Sequence, residues 1–180
     1  DRTDDGTRQP ALGDVTSPFG TFLTYIEAAS YTVTANPTDT TLAPGRVYDW
    51  LLPTTEILQL SLAVASHLAG TIRDESGAAV AGVQLRFDDG TGRRQPASKH
   101  ATDANGFYRL GIAPGIYRIT VEPPLSSSFP AFRVPDVDLT ASQLQDYTLS
   151  TGAAVTGLVS DKAGRPIGKA RLLARPWSRY

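Results

Sequence analysis

The sequence predicts an all-β chain made of tandem antiparallel β-sandwiches of about seven strands, one complete and two partial and complementary. Short segments of alternating apolar and polar residues are separated by turns rich in Gly, Pro, Asp and Asn. No stretch carries a sustained helical period. A pattern of residues also recurs along the chain after about 87 positions, which indicates a repeated unit of domain size.

The repeat rests on three matches that follow one another in the same order. They pair residues 20–26 and 31–34 with 106–112 and 117–120, residues 69–80 with 156–167, and residues 4–11 with 88–97 after a two-residue shift. Their phase divides the chain into three predicted parts. Residues 1–65 form the C-terminal part of a sandwich without its first two strands, residues 66–151 form a complete sandwich, and residues 152–180 form the first two strands of another.

Alternation places the strands of the complete copy one by one. In chain order they cover residues 68–72, 83–87, 99–102, 108–112, 117–121, 132–137 and 144–149. The segment Ala113-Pro-Gly115 is predicted to be a type II turn, because proline and glycine stand where that turn prefers them.

Composition excludes several classes of function. Lysine and arginine number 17 against 18 acidic residues, so the chain lacks the basic surplus that binding to nucleic acid requires. The absence of cysteine removes disulfides, thiolate metal sites and cysteine nucleophiles. The longest apolar stretch, residues 57–69, is too short and too polar to span a bilayer.

The residues that could carry chemistry are few. His67 and His100 are the only histidines, neither has a second type of ligand at metal-binding spacing, and no His-Glu-x-x-His peptidase motif is present. Four aspartates are predicted to stabilise turns rather than bind a cation: Asp74, Asp88, Asp89 and Asp103. We therefore predict no enzyme activity, no catalytic residues, no cofactor and no metal.

A loop with two adjacent arginines, Arg93 and Arg94, follows the second strand of the complete copy. Asp88 and Asp89 lie close by in sequence and offset its charge. We predict a solvated surface loop.

A longer pattern of fixed residues supports a family resemblance. Gly-x-Ile-x-Asp-x-x-Gly-x-x-Val-x-x-Val is followed by Thr-Asp-x-x-Gly-x-Tyr and then by Ala-Pro-Gly-x-Tyr. Its members are Gly70, Ile72, Asp74, Gly77, Val80, Val83, Thr102, Asp103, Gly106, Tyr108, Pro114, Gly115 and Tyr117. This pattern resembles the carboxypeptidase regulatory-like domain, an Ig-like sandwich of the transthyretin-like or Cna-B-like type. The resemblance implies stalks, spacers and accessory domains of secreted or surface proteins.

A partial sandwich leaves apolar faces and backbone groups exposed, so each end of the chain must be completed. We expect residues 152–180 of one copy to complete residues 1–65 of the next, which is a head-to-tail contact that generates a filament. The predicted donor positions are Val155, Leu158, Val159, Ile167, Ala170 and Leu172. The predicted acceptor positions are Phe22, Tyr25, Ile26, Tyr31 and Val33. The function that follows is a structural subunit of an extracellular or cell-surface fibre, with copies of itself as partners.

Two alternatives remain open at this point. The chain could be a window of a long tandem-repeat adhesin or stalk, whose partial units are completed by continuous sequence. It could instead be an accessory module of a secreted enzyme that binds a cell-surface glycan or protein. Loops 88–98 and 123–136, with Trp50 and Trp177, would then form the contact surface.

Overall fold

A computed structural model describes residues 15–53, 57–153 and 155–170. These residues form β-strands and no helix, and so contain no helical segment able to cross a membrane. The strands are β1 Ser30–Ala35, β2 Gly45–Leu51, β3 Ser66–Asp74, β4 Gln84–Asp88, β5 Arg94–Gln95, β6 Phe107–Ile112, β7 Ile116–Glu122, β8 Phe132–Asp138, β9 Gln143–Leu144 and β10 Tyr147–Leu149.

Two four-stranded sheets make up the complete unit, and the predicted all-β sandwich is confirmed. One sheet has the order β10-β3-β6, with β9 also paired to β3, and the other has the order β5-β4-β7-β8. The second sheet is antiparallel throughout, whereas β9 and β10 run parallel to β3. Strands β1 and β2 form a separate antiparallel hairpin.

The core lies between the two sheets of the complete unit. Alternate residues of β3, among them Leu68 and Ile72, are fully buried, as are Ile119 and Val121 of β7. Each such side chain contributes about 1.5–3 kcal/mol relative to an exposed position. Every member of the buried cluster lies between Leu68 and Leu149, so residues 66–151 supply their own core.

One predicted strand differs from the structure. Residues 99–102 contribute only a single bridge, from Ala101 to Gln84, and the strand at this edge is β5 instead. The carbonyl of His100 does accept a hydrogen bond from Leu85 N–H (2.8 Å). Lys99, however, has a φ of 46°, which interrupts the extended backbone before a ladder can form.

The predicted type II turn is wrong. Gly115 does not adopt the positive φ that the third position of this turn requires. Position 115 is glycine for another reason: a Cβ there would lie 3.0 Å from the hydroxyl oxygen of Tyr117. The Tyr117 hydroxyl lies over the turn because it donates a hydrogen bond to the Ala113 carbonyl (2.7 Å).

Candidate assembly interface

The hairpin β1–β2 has the same geometry as β7–β8 of the complete unit. Both first strands contain a register shift, between Tyr31 and Val33 in one and between Tyr117 and Ile119 in the other. The Tyr31 hydroxyl donates to the backbone carbonyl four residues earlier (2.8 Å), as the Tyr117 hydroxyl does (2.7 Å). Residues 30–51 therefore form a hairpin of the type that covers the core in the complete unit.

The turns around this hairpin also have counterparts. Ser17 Oγ accepts the N–H groups two and four residues later, at 3.2 and 3.3 Å. Asp103 Oδ1 makes the same pair of bonds at 2.8 and 2.9 Å. Further along, Asp49 and Asp136 hold matching left-handed conformations, with φ of 56° and 52°. In the first of these turns, the shorter side chain of Ser17 thus takes the place of Asp103 without changing the turn.

One segment of the N-terminal part does not follow its counterpart. Residues 21–26 correspond to β6, yet the structure assigns them no strand. Phe22 is 43% exposed, whereas the corresponding Tyr108 is only 1% exposed. Strand β6 is held by β3, and the described residues of the N-terminal part contain no counterpart of β3. Within the described residues, this segment therefore pairs with no strand.

The C-terminal part reproduces the turn that follows β3. Asp161 Oδ1 accepts the N–H groups two and four residues later, both at 2.9 Å, as Asp74 Oδ1 does. Single bridges close both turns, from Ser160 to Pro166 and from Arg73 to Ala79. The pKa of each aspartate lies below the ordinary carboxyl value, chiefly because Asp74 accepts the Ser76 hydroxyl and Asp161 accepts the Arg165 N–H.

The predicted donor side chains are mostly in solvent. Val155 is 94% exposed and Leu158 is 78% exposed. Ile167 and Ala170 are also exposed, and Val159 is half-buried. Leu172 lies outside the described residues, as does Trp177.

Four of the five predicted acceptor side chains line one open cavity. Phe22, Ile26, Tyr31 and Val33 line a cavity of about 1110 Å³, and Trp50 also contributes to its wall. Its opposite wall is formed by residues of β4 and of the following segment. Tyr31 is buried, Ile26 and Val33 are half-buried, and Tyr25 is 77% exposed and does not line this cavity.

Within the part of the chain that the structure describes, donor and acceptor segments do not pair as strands. The bridge that it forms in residues 155–170 is internal to that segment. Within the described ranges, β1 belongs to a sheet of two strands. Among the described residues, no strand pairing therefore joins the two sets within a single chain.

A polar contact between the hairpin and the complete unit was not expected from the sequence. The guanidinium groups of Arg46 and Arg93 both contact the Tyr48 ring, with their carbons 5.8 and 5.1 Å from its centroid. The Tyr48 hydroxyl donates to the Arg94 carbonyl, and Arg93 Nη2 lies 3.4 Å from Asp49 Oδ2. We call these five residues the arginine joint. The loop with Arg93 and Arg94 is exposed as predicted, but it also contacts the neighbouring hairpin.

Asp89 stabilises its turn as the sequence predicts. Asp89 Oδ1 accepts the N–H and the hydroxyl of Thr91 at 2.9 and 2.6 Å, which together with Gln95 lowers the pKa of Asp89 to about 2. Asp88 instead lies 3.7 Å from Arg94 Nε.

His67 Nε2 is 3.1 Å from the Thr40 carbonyl, in the junction between hairpin and complete unit. Among the described residues, no group of three His, Asp or Glu side chains is placed to hold a metal.

These features define a class: an all-β chain that contains a β-sandwich unit with its own core. Residues 67–150 match the model of the carboxypeptidase regulatory-like domain, so the resemblance read from the sequence is confirmed for the complete unit. No curated protein matches the sequence.

Several solved structures are similar in fold. The major pilin subunit BcpA of Bacillus cereus is 10% identical, with a TM-score of 0.36 over 61% of this chain and 37% of that one. A double mutant of the shaft pilin SpaA from Lactobacillus rhamnosus GG is 11% identical, with a TM-score of 0.42 over 79% and 70%. A streptococcal ancillary pilin is 17% identical, with a TM-score of 0.35 over 71% and 46%. The chain thus spans little more than a third of BcpA, and likeness at these scores does not define its role.

Proposed function

We propose that this chain is a structural subunit or repeat segment of an extracellular or cell-surface fibre, whose copies join head to tail by completing a split β-sandwich. One observation carries the proposal. Residues 21–26 and residues 155–159 form no strand in the described chain, and they correspond to β6 and β3, which pair with each other in the complete unit.

The energetic reason lies in the exposed apolar side chains of both segments. Phe22 and Val155 occupy positions whose counterparts, Tyr108 and Leu68, are fully buried. Removing apolar surface from water contributes about 25 cal/mol per Å². The strand pairing would also satisfy the backbone N–H and C=O groups of both segments. Burial of this apolar surface and pairing of these backbone groups would therefore make a large favourable contribution to the free energy of completing the sandwich.

The geometry of the chain favours completion between copies. Donor and acceptor lie on opposite sides of the complete unit in sequence, and the donor of one copy fits the acceptor of another. A contact between two different surfaces of identical subunits propagates without limit unless it closes into a ring. The arginine joint would add a fixed orientation between successive sandwiches.

The proposed role is mechanical rather than catalytic. The family resemblance of residues 67–150 implies spacer and stalk modules of secreted or surface proteins. A chain without cysteine or methionine also lacks the side chains most readily oxidised outside the cell. Fold alone does not assign activity, so assembly is the property that decides the role.

A chain that ends at Ser150 tests the proposal. It removes the donor segment but keeps the whole buried cluster, which ends at Leu149. We expect no fibres by electron microscopy and an unchanged unfolding transition for the complete unit. As a matched control, Leu125→Ala in the full chain alters a fully exposed loop residue and should leave assembly intact. Fibres formed normally by the Ser150-ending chain would contradict the proposal.

The tandem-stalk alternative makes a different prediction about the natural protein. If further repeats continue the chain, each partial unit is completed by covalently attached sequence. The mass of the protein isolated from its source distinguishes the two. A mass of one 180-residue chain supports subunit assembly, and a mass several times larger supports the continuous stalk.

A further inference from the structure

The strand missing from the N-terminal part is the central strand of its sheet. In the complete unit β3 lies between β6, to which it is antiparallel, and β10, to which it is parallel. A segment that replaces β3 must therefore fit between two neighbours rather than extend an edge. Such a position is more specific than edge addition, because both sides of the strand must match.

The second neighbour of the missing strand is also present. Residues 57–62 precede the complete unit in the same way that residues 144–149 precede the C-terminal part. Leu60 and Leu62 correspond to Tyr147 and Leu149, and both are half-buried on alternate positions. The backbone repeats as well, since Ala65 N–H donates to the Thr41 carbonyl (2.8 Å) and Gly152 N–H to the Ser128 carbonyl (2.9 Å). Counterparts of both β6 and β10 thus border the gap.

A glycine in the donor segment supplies an independent indication. Gly70 of β3 lies beneath the segment between β9 and β10, and a Cβ at this position would overlap the Gln145 carbonyl. Its counterpart is Gly157, where an added Cβ would meet no heavy atom within 4 Å in the single chain. Nothing in its own surroundings requires glycine there. A crossing segment, with Leu58 in the place of Gln145, would require it.

Building on the proposed function, we infer that residues 155–161 of one copy enter the next copy as the central strand between residues 21–26 and 57–62. The register follows that of β3. Val155 lies opposite Thr24 and Gly157 opposite Phe22, as Leu68 lies opposite Leu110 and Gly70 opposite Tyr108. On the parallel side Val159 lies beside Leu60, as Ile72 lies beside Tyr147.

This register divides the donor and acceptor residues by face. Val155 and Val159 take the places of the buried Leu68 and Ile72 and point into the completed core. Leu158 takes the place of Thr71, which lies on the other face of β3. Tyr25 likewise takes the place of Gly111. Leu158 and Tyr25 therefore lie on the face of the sheet that points away from the core, where Gly111 is covered by Ala65 and Ser98.

Cysteine pairs test the register, since the chain has no cysteine of its own. Leu23 and Thr156 correspond to the paired residues Arg109 and Ala69. Opposite residues of antiparallel strands are about 4.5–5.5 Å apart at Cα, which is within disulfide reach. Chains with Leu23→Cys and chains with Thr156→Cys are mixed, assembled and oxidised. We expect disulfide-linked dimers on a non-reducing gel.

The matched control combines Tyr25→Cys and Leu158→Cys, which this register places four residues out of step. We expect fibres without disulfide-linked dimers from that mixture. Fibres that lack the Leu23–Thr156 link, or that form the control link, would overturn the register and leave the proposed function standing. If the unsubstituted chain forms no fibres, the proposed function fails and the register falls with it.

Discussion

Gly70 of β3 has no side chain, and this lets the Gln145 backbone pass directly over the strand. The Gln145 backbone passes so close that Gly70→Ala must displace it or bend β3. We expect a loss of about 1–3 kcal/mol in the free energy of unfolding, as for other overpacked sites. Urea denaturation of the Ser150-ending chain measures it. Gly90→Ala is the control, because a Cβ there meets nothing within 4 Å, and equal stability of the two variants would contradict the assignment.

The same reasoning at Gly157 predicts an effect on assembly alone. Gly157→Ala adds a methyl group to an open position of the single chain and should leave its folding unchanged. In the fibre the added group would meet the crossing segment, so we expect fibre yield to fall at least tenfold in a sedimentation assay. Gly168→Ala is the matched control in the same segment, since its Cβ also meets nothing. Normal fibres from Gly157→Ala would contradict the prediction.

Aspartates that accept backbone N–H groups should make the complete unit sensitive to acid. Asp146 accepts the Thr71 N–H and hydroxyl at 2.6 and 3.0 Å, and these bonds lower its pKa. Asp138 shows the same shift through Thr140. A carboxyl with a lowered folded-state pKa stabilises the fold above its unfolded pKa of about 3.9, and this contribution is lost as pH falls through the folded value.

Stability of the Ser150-ending chain should therefore be constant from about pH 5 to pH 8 and should fall below about pH 4. Asp146→Ala should lower the melting temperature at pH 7 and reduce the further fall in acid. Thermal unfolding followed by circular dichroism across this range checks both effects. An acid dependence identical to that of the unsubstituted chain would show that Asp146 does not contribute.

At the scale of elements, the strands of the complete unit could be predicted because their alternation is strong. Leu68 with Ile72 and Tyr117 with Ile119 read directly as inward-facing pairs. The correspondence of residues 57–62 with 144–149 could not be seen, because Leu60 and Tyr147 share only an apolar character. Their common role is visible only through their matching backbone surroundings.

The contacts of the arginine joint could not be predicted from the sequence for a different reason. Tyr48 and Arg94 are 46 residues apart, and their contact depends on how a hairpin packs against another unit. A loop with two arginines and neighbouring aspartates has the composition of an ordinary solvated surface. Only the contact of both Arg46 and Arg93 with the Tyr48 ring distinguishes it.

Removal of the joint should loosen the hairpin relative to the complete unit. Each cation–π contact at an exposed site is worth about 0.5–1 kcal/mol. Tyr48→Ala should therefore increase the radius of gyration of the Ser150-ending chain in small-angle X-ray scattering and broaden its distribution of interatomic distances. Arg109→Ala, at an exposed position of β6, serves as the control. Unchanged scattering from Tyr48→Ala would mean that other contacts hold the hairpin.

For the whole molecule, we predict two kinds of sandwich in every fibre. One is formed within a single chain around the buried cluster of residues 68–149. The other is formed by two chains, and its stability depends on the concentration of subunits. Dilution should therefore release chains whose complete unit is still folded.

Electron cryo-microscopy of the assembled full-length chain is the sharpest test of strand exchange between copies, because it follows the path of residues 152–172. We predict that this segment leaves its own complete unit and that its residues 155–161 lie inside the sheet formed by residues 21–26 and 57–62 of the next chain, giving two sandwiches per subunit along the fibre. A segment folded back onto its own chain, or subunits joined through the outer faces of complete units, would contradict strand exchange.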